Sequence, residues 1–275
     1  VLGAAFCADL TVTFIALKPC FVLPEGSDYC GEVLVADIGV KPIGSTFSTT
    51  QKPEFKKRRH NSHKGIYGTA LLFCGSYGYA GAAVLAARAA LRSGVGIAKA
   101  VLSESIYAPF TAAVPEAVCV PIKQNGTADL NIKALLNKAD AVLAGSGSGN
   151  NGETEYLVKK LLKTAEIPIV IDADGINVIA NSIDIIKNTK APVILTPHPG
   201  EMARLLGVTA KEVEADRVSI ARGFAKEYGC ILVLKGANTI IALPNGEITF
   251  NLTGNPGMAC GGSGDVLSGI TVSLL

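Results

Sequence analysis

The 275-residue sequence has no uninterrupted apolar run of about 18 residues, the length a membrane-spanning helix needs. Its most apolar segment, the Ala-rich stretch 80–101, is broken by Arg88, Arg92 and Lys99, which argues against a transmembrane span. Charged residues make up only 17% and the formal net charge is +2, too near neutral for nucleic acid to be the main partner. The basic cluster "KPEFKKRRH" at 52–60 lies in a polar connecting stretch and reads as solvated linker. The seven cysteines are odd in number without CxxC spacing, and the three histidines form no metal signature. That pattern argues against a disulfide framework or a zinc site, and for reduced thiols in a cytoplasmic protein. The sequence opens "VLGAAFCADLTVTF", with neither Met nor the charged start of a signal peptide, and ends "SGITVSLL" inside an apolar helix without a cap. Both ends read as cut, so a fragment is expected.

What is present is a compact α/β pattern, 49% hydrophobic. "LTVTFIALK" and "GEVLVADIGV" read as strands separated by the turn "LPEGSDYCG". Two strands cannot stand alone, so residues 1–43 are expected to be the tail of another α/β domain, and 44–61 a linker. From residue 62 to 275 a second rhythm is expected. "GTALLFCGS", "GIAKAVLS", "ADAVLAG", "IPIVIDAD", "APVILTP" and "CILVLKG" read as buried strands. Helices "GAAVLAARAALRSG", "TEYLVKKLLKTA", 200–207 and 211–228 alternate with them, and "NTIIALPNGEITFN" is a hairpin turning at Asn-Gly. This alternation predicts a mostly parallel sheet covered on both faces, with ligands bound outside the carboxyl ends of its strands. "GSYGYAG", "AGSGSG", "DADG", "TPHPGE" and "LKGANT" all fall at such ends.

Several of these loops carry chemistry. "GSGNNG" at 147–152 matches the dinucleotide-binding GxGxxG pattern, with Asp172 twenty residues beyond Gly152. Any βαβ unit with a glycine turn produces the same string, and this one sits mid-sheet. In "TPHPGE", Glu201 reads as a first-turn helix acid, while His198 is open between ordering its loop and touching substrate. In "DADGIN", Asp174 reads as a helix cap; Asp172 stays open between structure and a metal or phosphate-water site. Lys235 of "LKGANT" is open between a solvent-exposed lysine and a point charge on phosphate.

"NPGMACGGSGDVLSGI" at 255–270 is the most informative stretch. A glycine-rich turn opening a helix presents unpaired amides to an anion, and here the lysine of a Walker loop is absent while Asp265 stands beside the turn. The amides of Gly261, Gly262, Ser263 and Gly264 would stabilise negative charge on a transferred phosphoryl group. Asp265 would take the proton from the attacking hydroxyl. Four glycines spent merely on capping a helix would be costly in backbone entropy.

"GGSGD" entering a helix resembles the anion hole and base of ribokinase-like enzymes. Together with "TPHPGEMARLLG" and "HKGIYGTALLFCGSYGYAGAAVLAARAALRSG", the string "GNPGMACGGSGDVLSGI" looks like the NAD(P)H-hydrate dehydratase branch, from about residue 62 onward. The resemblance implies a ribokinase-like three-layer sandwich. It also implies that ADP or ATP is spent to remove the 6-hydroxyl of hydrated NADH or NADPH (NADHX, NADPHX) through a phosphorylated intermediate. By resemblance, Ala82, Gly147, His198 and Asp265 line the substrate, and Lys235, Gly236, Ala237, Asn238, Thr239 and Gly264 hold the nucleotide. The GxGxxG match is then part of a substrate cleft. Mg²⁺ with the nucleotide, a homo-oligomer and a cytoplasmic location are further implications. "ADLTVTF" and "GEVLVADIG" look like the end of the NAD(P)H-hydrate epimerase domain, whose K⁺ site and catalytic acid would lie mostly upstream; epimerase activity is not expected. Ser146 stands where the family usually has proline, and Cys260 where threonine or serine is common. The alternatives on the residues alone are a ribokinase-like kinase of a small alcohol, an NAD-dependent dehydrogenase built on 147–152, and a non-catalytic nucleotide-binding subunit.

Overall fold

The computed structural model describes residues 3–41, 43–54, 57–123 and 126–275. Of the basic cluster 52–60, Phe55 and Lys56 lie outside the described residues; the other seven are exposed, as a solvated stretch should be. Twelve strands are described: β1 (Leu10–Phe14), β2 (Glu32–Ala36), β3 (Phe47–Thr49), β4 (Thr69–Phe73), β5 (Ile97–Ser103), β6 (Val118–Ile122), β7 (Ala141–Ala144), β8 (Ile169–Ile171), β9 (Val193–Leu195), β10 (Ile231–Leu234), β11 (Ile240–Ala242) and β12 (Ile248–Phe250). The helices are α1 (Pro19–Val22), α2 (Pro24–Cys30), α3 (Ala80–Ser93), α4 (Tyr107–Ala113), α5 (Ile132–Leu136), α6 (Gly152–Thr164), α7 (Asp174–Ile179), α8 (Pro199–Leu206), α9 (Ala210–Ala215), α10 (Arg217–Tyr228) and α11 (Ser263–Ser273).

Ten strands form one sheet in the order β3-β12-β11-β10-β9-β8-β7-β4-β5-β6. Every pairing from β10 through β6 is parallel, and β10-β11-β12 is an antiparallel run. The near-continuous Val, Ile and Leu content of β4 and β7 to β9 follows from burial on both faces. Successive residues of β4 serve opposite cores. Leu71 and Phe73 join Leu161, Ile176, Met202 and Phe224 on one side; Ala70, Leu72 and Cys74 join Ala83, Ala86, Ala90 and Val272 on the other. Helix-sheet-helix layering is therefore as expected.

Four local readings need correction. The turn expected between the first two strands is the α1-α2 segment, and β1 and β2 pair in parallel, which a tight turn cannot connect. The expected linker contributes β3, an edge strand parallel to β12 with Phe47 and Phe250 stacked at 6.0 Å. A three-residue strand whose partner is some 200 residues away leaves no local signal. The helix read as 211–228 is two, because Asp216 leaves helical geometry (φ −145°) and caps α10 through Ser219 N. Strand β6 escaped the periodicity reading because Pro121 interrupts it; the proline is tolerated because β6 is a sheet edge.

α11 is placed by its contact with α3. A Cβ on Gly269 would run into the Ala86 carbonyl and stand 2.9 Å from Ala89 Cβ. Small residues on both helices thus bring the backbones into contact, and Val95 N donates to Ser273 Oγ at 2.9 Å to close the far end. Gly269→Ala should gain helix propensity yet lose stability, by roughly 1–3 kcal/mol of overpacking. Urea unfolding of the two proteins checks the sign.

Candidate functional site

The N-terminus of α11 points its amides into the cleft at the carboxyl ends of β8 and β10. Gly262 sits before it in the left-handed region (φ +89°), and a side chain there would strike Leu85 of α3. The amides of Gly261, Gly262, Gly264 and Asp265 have no acceptor among the described residues. The expected contribution of Ser263 is corrected: its amide and hydroxyl both donate to the Cys260 carbonyl, at 3.4 and 3.0 Å. The unpaired cup is therefore Gly261, Gly262, Gly264 and the amide of Asp265 itself.

The Asp265 carboxyl is pushed above the usual carboxylate range, first by burial, then by the charges of Asp172 and Asp174; Lys235 partly offsets them. A carboxylate moved in that direction is a better proton acceptor.

Asp172, at the end of β8, is 1% exposed and anchors the site. Its Oδ1 accepts from Thr196 Oγ1 at 2.7 Å and Lys235 Nζ at 2.9 Å. Its Oδ2 accepts from Ser268 Oγ at 2.6 Å and Ser146 Oγ at 3.4 Å. Those donors come from the loop after β7, the ends of β9 and β10, and α11. A Cβ on Gly264 would stand 3.7 Å from Lys235 Nζ, so the ammonium lies at the lip of the amide cup. Glu201 Oε2 is 3.8 Å from the same nitrogen. Asp172 is thus a structural carboxylate, the outcome its sequence context left open.

His198 caps α8: its Nδ1 accepts from Gly200 N at 3.0 Å and Glu201 N at 3.3 Å, while Glu201 Oε2 accepts from His198 N at 2.8 Å. The loop-ordering role is present, and the half-exposed ring leaves Nε2 near Glu201 Oε1 at 3.5 Å. Ala82 and Gly147 meet across the cleft, since a Cβ on Gly147 would lie 2.6 Å from Ala82 Cβ. A side chain on Gly145 (φ +118°) would collide with the Asp172 carbonyl.

The GxGxxG loop satisfies part of its backbone internally. Ser148 N donates to Gly145 O, Gly149 N to Asp174 Oδ2, and Glu153 and Thr154 N to Asn151 Oδ1. Two of its amides are thus consumed internally, while those of Gly147, Asn150, Asn151 and Gly152 have no acceptor among the described residues. Asp174 is structural through its bond to Gly149 N, but it does not cap α7 as expected: the N-cap there is Ala173, with no side-chain cap bond.

Loop 235–239 is held from below by Arg217, which is 3% exposed. Its guanidinium donates to the carbonyls of Leu234, Lys235 and Ala237 at 3.0–3.2 Å. A Cβ on Gly236 would stand 2.8 Å from Arg217 Nη2. Sequence reading missed Arg217, which in "RVSIARGFAKEY" looks like any helical arginine. It also missed Cys74, whose buried thiol is pushed up by desolvation and by Asp265 and Asp172. A cavity of about 150 Å³ opens on the α6 side of the sheet, lined by Phe73, Ser76, Lys123, Asn151 and Glu153; no member of the amide cup reaches it. Among the described residues no group of three or more His, Cys, Asp or Glu is disposed to hold a metal ion. None of their helices is long and apolar enough to cross a membrane.

Residues 70–275 match the family described as NAD(P)H-hydrate dehydratase. The chain belongs to that family. A bifunctional NAD(P)H-hydrate repair enzyme of Moorella thermoacetica is 37% identical over 290 residues, covering 99% of this chain and 54% of that protein. The chain thus spans about half the length of that relative. An ADP/ATP-dependent NAD(P)H-hydrate dehydratase of Bacillus subtilis, co-crystallized with ATP/Mg²⁺, superposes with a TM-score of 0.68 at 34% identity, over 80% of this chain and 76% of that one. A ribokinase-like superfamily protein of Enterococcus faecalis gives 0.71 at 26% identity, over 85% and 81%. The family's ribokinase-like fold is the fold observed here.

Two outcomes follow from the charge arrangement. Asp172→Ala strands Lys235 and three hydroxyls, and should cost about 3–5 kcal/mol, as loss of one partner of a buried ion pair does; chemical denaturation checks it. Asp265 behaves oppositely. Its folded-state pKa is raised, so the folded chain holds the proton more tightly than the unfolded one. Stability is therefore lost as pH rises from the unfolded value of 3.8 through the folded value, and the deficit persists above it. Asp265→Asn should melt higher than the parent at pH 7, with the difference vanishing in acid; thermal unfolding at several pH values reads this.

Proposed function

We propose that the chain dehydrates the 6-hydroxylated forms of NADH and NADPH, (6S)-NADHX and (6S)-NADPHX, at the expense of ADP or ATP. The observation that carries this reading is the unpaired amide cup at α11, with Asp265 on one side and the Lys235 ammonium on the other. That arrangement suits phosphoryl transfer, which needs positioning and charge stabilisation more than covalent chemistry. The 6-hydroxyl oxygen attacks the terminal phosphorus, its proton passes to Asp265, and AMP or ADP leaves. The amides of Gly261, Gly262, Gly264 and Asp265 take up charge on the transferred phosphoryl oxygens. The C6–O bond then breaks with loss of inorganic phosphate, and a proton leaves the neighbouring ring carbon to restore the double bond.

Ala82, Gly147 and His198 border the nicotinamide end in this reading, while Lys235 to Thr239 and Gly264 border the nucleotide. The described residues do not form a metal cage. Mg²⁺ is accordingly proposed to arrive on the nucleotide's phosphates, as small dications usually do. Residues 1–43 are proposed to close an epimerase-like unit; 44–61, of which β3 pairs with β12, leads from it into the sheet of the dehydratase unit 62–275. The separate β1-β2 sheet supports this, as do Leu10, Val12, Phe14, Leu34 and Val35 on it, all 45% exposed or more. No epimerase activity, and hence no K⁺ requirement, is proposed for the chain. A cytoplasmic homo-oligomer completes the proposal.

The test is recovery of reduced-nicotinamide absorbance from hydrated NADH with ADP, with ATP and with neither. Recovery should require nucleotide and fall by roughly 10²–10⁴ in Asp265→Asn. A stable phosphorylated product would instead establish a small-molecule kinase, and a folded protein inert with both nucleotides would overturn the proposal. The acid limb of kcat/KM should lie above the ordinary carboxylate range. It should move to still higher pH in Lys235→Met, which removes the charge that favours ionised Asp265.

A further inference from the structure

Asn238 ties loop 235–239 to a distant part of the chain. Its Nδ2 donates to the backbone carbonyl of Val22 at 2.7 Å, across 216 positions of sequence. Its backbone lies in the left-handed region at φ +51°, where asparagine is tolerated better than most residues. Val22 closes α1, is 5% exposed and belongs to the same core cluster as Ile240 and Phe250. Around it the contact is thin: a cavity of about 200 Å³ opens between Leu17, Pro19 and Val22 on one side and Phe47 and Phe250 on the other. Among the described residues, segment 1–43 therefore meets the loop through the seat of Val22 and one hydrogen bond. From the opposite side the loop rests on Arg217, whose Nε has no hydrogen-bond partner among the described residues. The ends of the loop are pinned separately, Lys235 by Pro197 O and Asp172 and Thr239 by Asn251 N. Its middle, Gly236 to Asn238, is held by the guanidinium on one side and the Asn238 amide on the other, and shifts when either is lost.

We infer that segment 1–43 is a working part of the nucleotide site: α1, acting through Asn238, sets the position of loop 235–239 and thereby the affinity for the adenine nucleotide. The identity of that ligand rests on the proposed function. Asn238 is here a positioning residue, and its contact with Val22 couples the two units of the chain.

The test is a double-mutant cycle in the whole chain. Asn238→Gly keeps the left-handed backbone and removes the donor; Val22→Ala loosens the seat of α1. Each should raise KM for the nucleotide roughly three- to ten-fold; in Val22→Ala, which lies outside the site, KM for hydrated NADH and kcat at saturating nucleotide should stay within about two-fold. The double variant should be no worse than Asn238→Gly alone, because the contact is already gone. Amide hydrogen exchange at Lys235 and Asn251, whose N–H groups donate to the carbonyls of Pro197 and Thr239, should quicken in both single variants. Asn238→Asp, similar in size but without the amide donor, should reproduce the loss if Val22→Ala fails to fold. Unchanged nucleotide KM and unchanged exchange in a folded Val22→Ala would overturn the inference. So would effects that multiply in the double variant, since Asn238 would then touch the nucleotide directly. The exchange arm needs no turnover, so it decides the coupling even if the dehydratase assay fails.

Discussion

A carboxylate withdrawn from water must be compensated by donors, and the cleft is organised around that demand at Asp172. Four side chains answer it, from the loop after β7, the ends of β9 and β10, and the first turns of α11. Each bond fixes the element that supplies it, so one buried charge aligns four separate pieces of chain. Lys235 is held at the amide cup because Asp172 holds it. Asp265 is held nearby because Ser268, one turn further along α11, is bonded to the same carboxylate. The charge that positions Asp265 also adds to burial in opposing its ionisation, so the structural anchor contributes to the proton affinity of the proposed base.

Two glycine-rich loops border the cleft and differ in where their amides go. In 145–152 the positive-φ glycines let the backbone approach Asp172 and Ala82, and Asp174 takes up the Gly149 amide while Asn151 caps the first turn of α6. In 261–265 a left-handed Gly262 turns the chain into α11 and leaves four amides without acceptors. Composition is nearly the same in both; what sets 261–265 apart is the Lys235 ammonium beside its free amides. The close approach of α11 to α3 at Gly269 and Ala86 sets how far that cup stands from the cleft wall at Ala82 and Gly147.

Much of this was legible beforehand. The Val- and Ile-rich runs alternating with amphipathic helices specify a parallel sheet, because only burial on both faces suits such strands. The pairing of "LKGANT" with "GGSGD" follows once both sit at carboxyl ends of one sheet, and the structure places Lys235 beside Gly264. Hidden were the features with no local signature. Strand β3 is three residues in a polar run, and Phe47 finds Phe250 only in three dimensions. Arg217 looks like a surface cation until it lies beneath Gly236. Ser263 belongs to the glycine string, yet its amide turns back to Cys260.

By itself the sequence determined the period of its elements, the chirally permissive turns and the order of loops along the sheet edge, since these depend on residue type and near neighbours. Tertiary structure alone decided which polar groups are paired and which are left free. Pairing depends on distances between residues far apart in the chain: Asp172 with Ser268, Arg217 with the carbonyl of Ala237, Asn238 with that of Val22. Whether an amide binds an anion, or a carboxylate anchors a fold or takes a proton, is set by that pairing and by the water excluded around it.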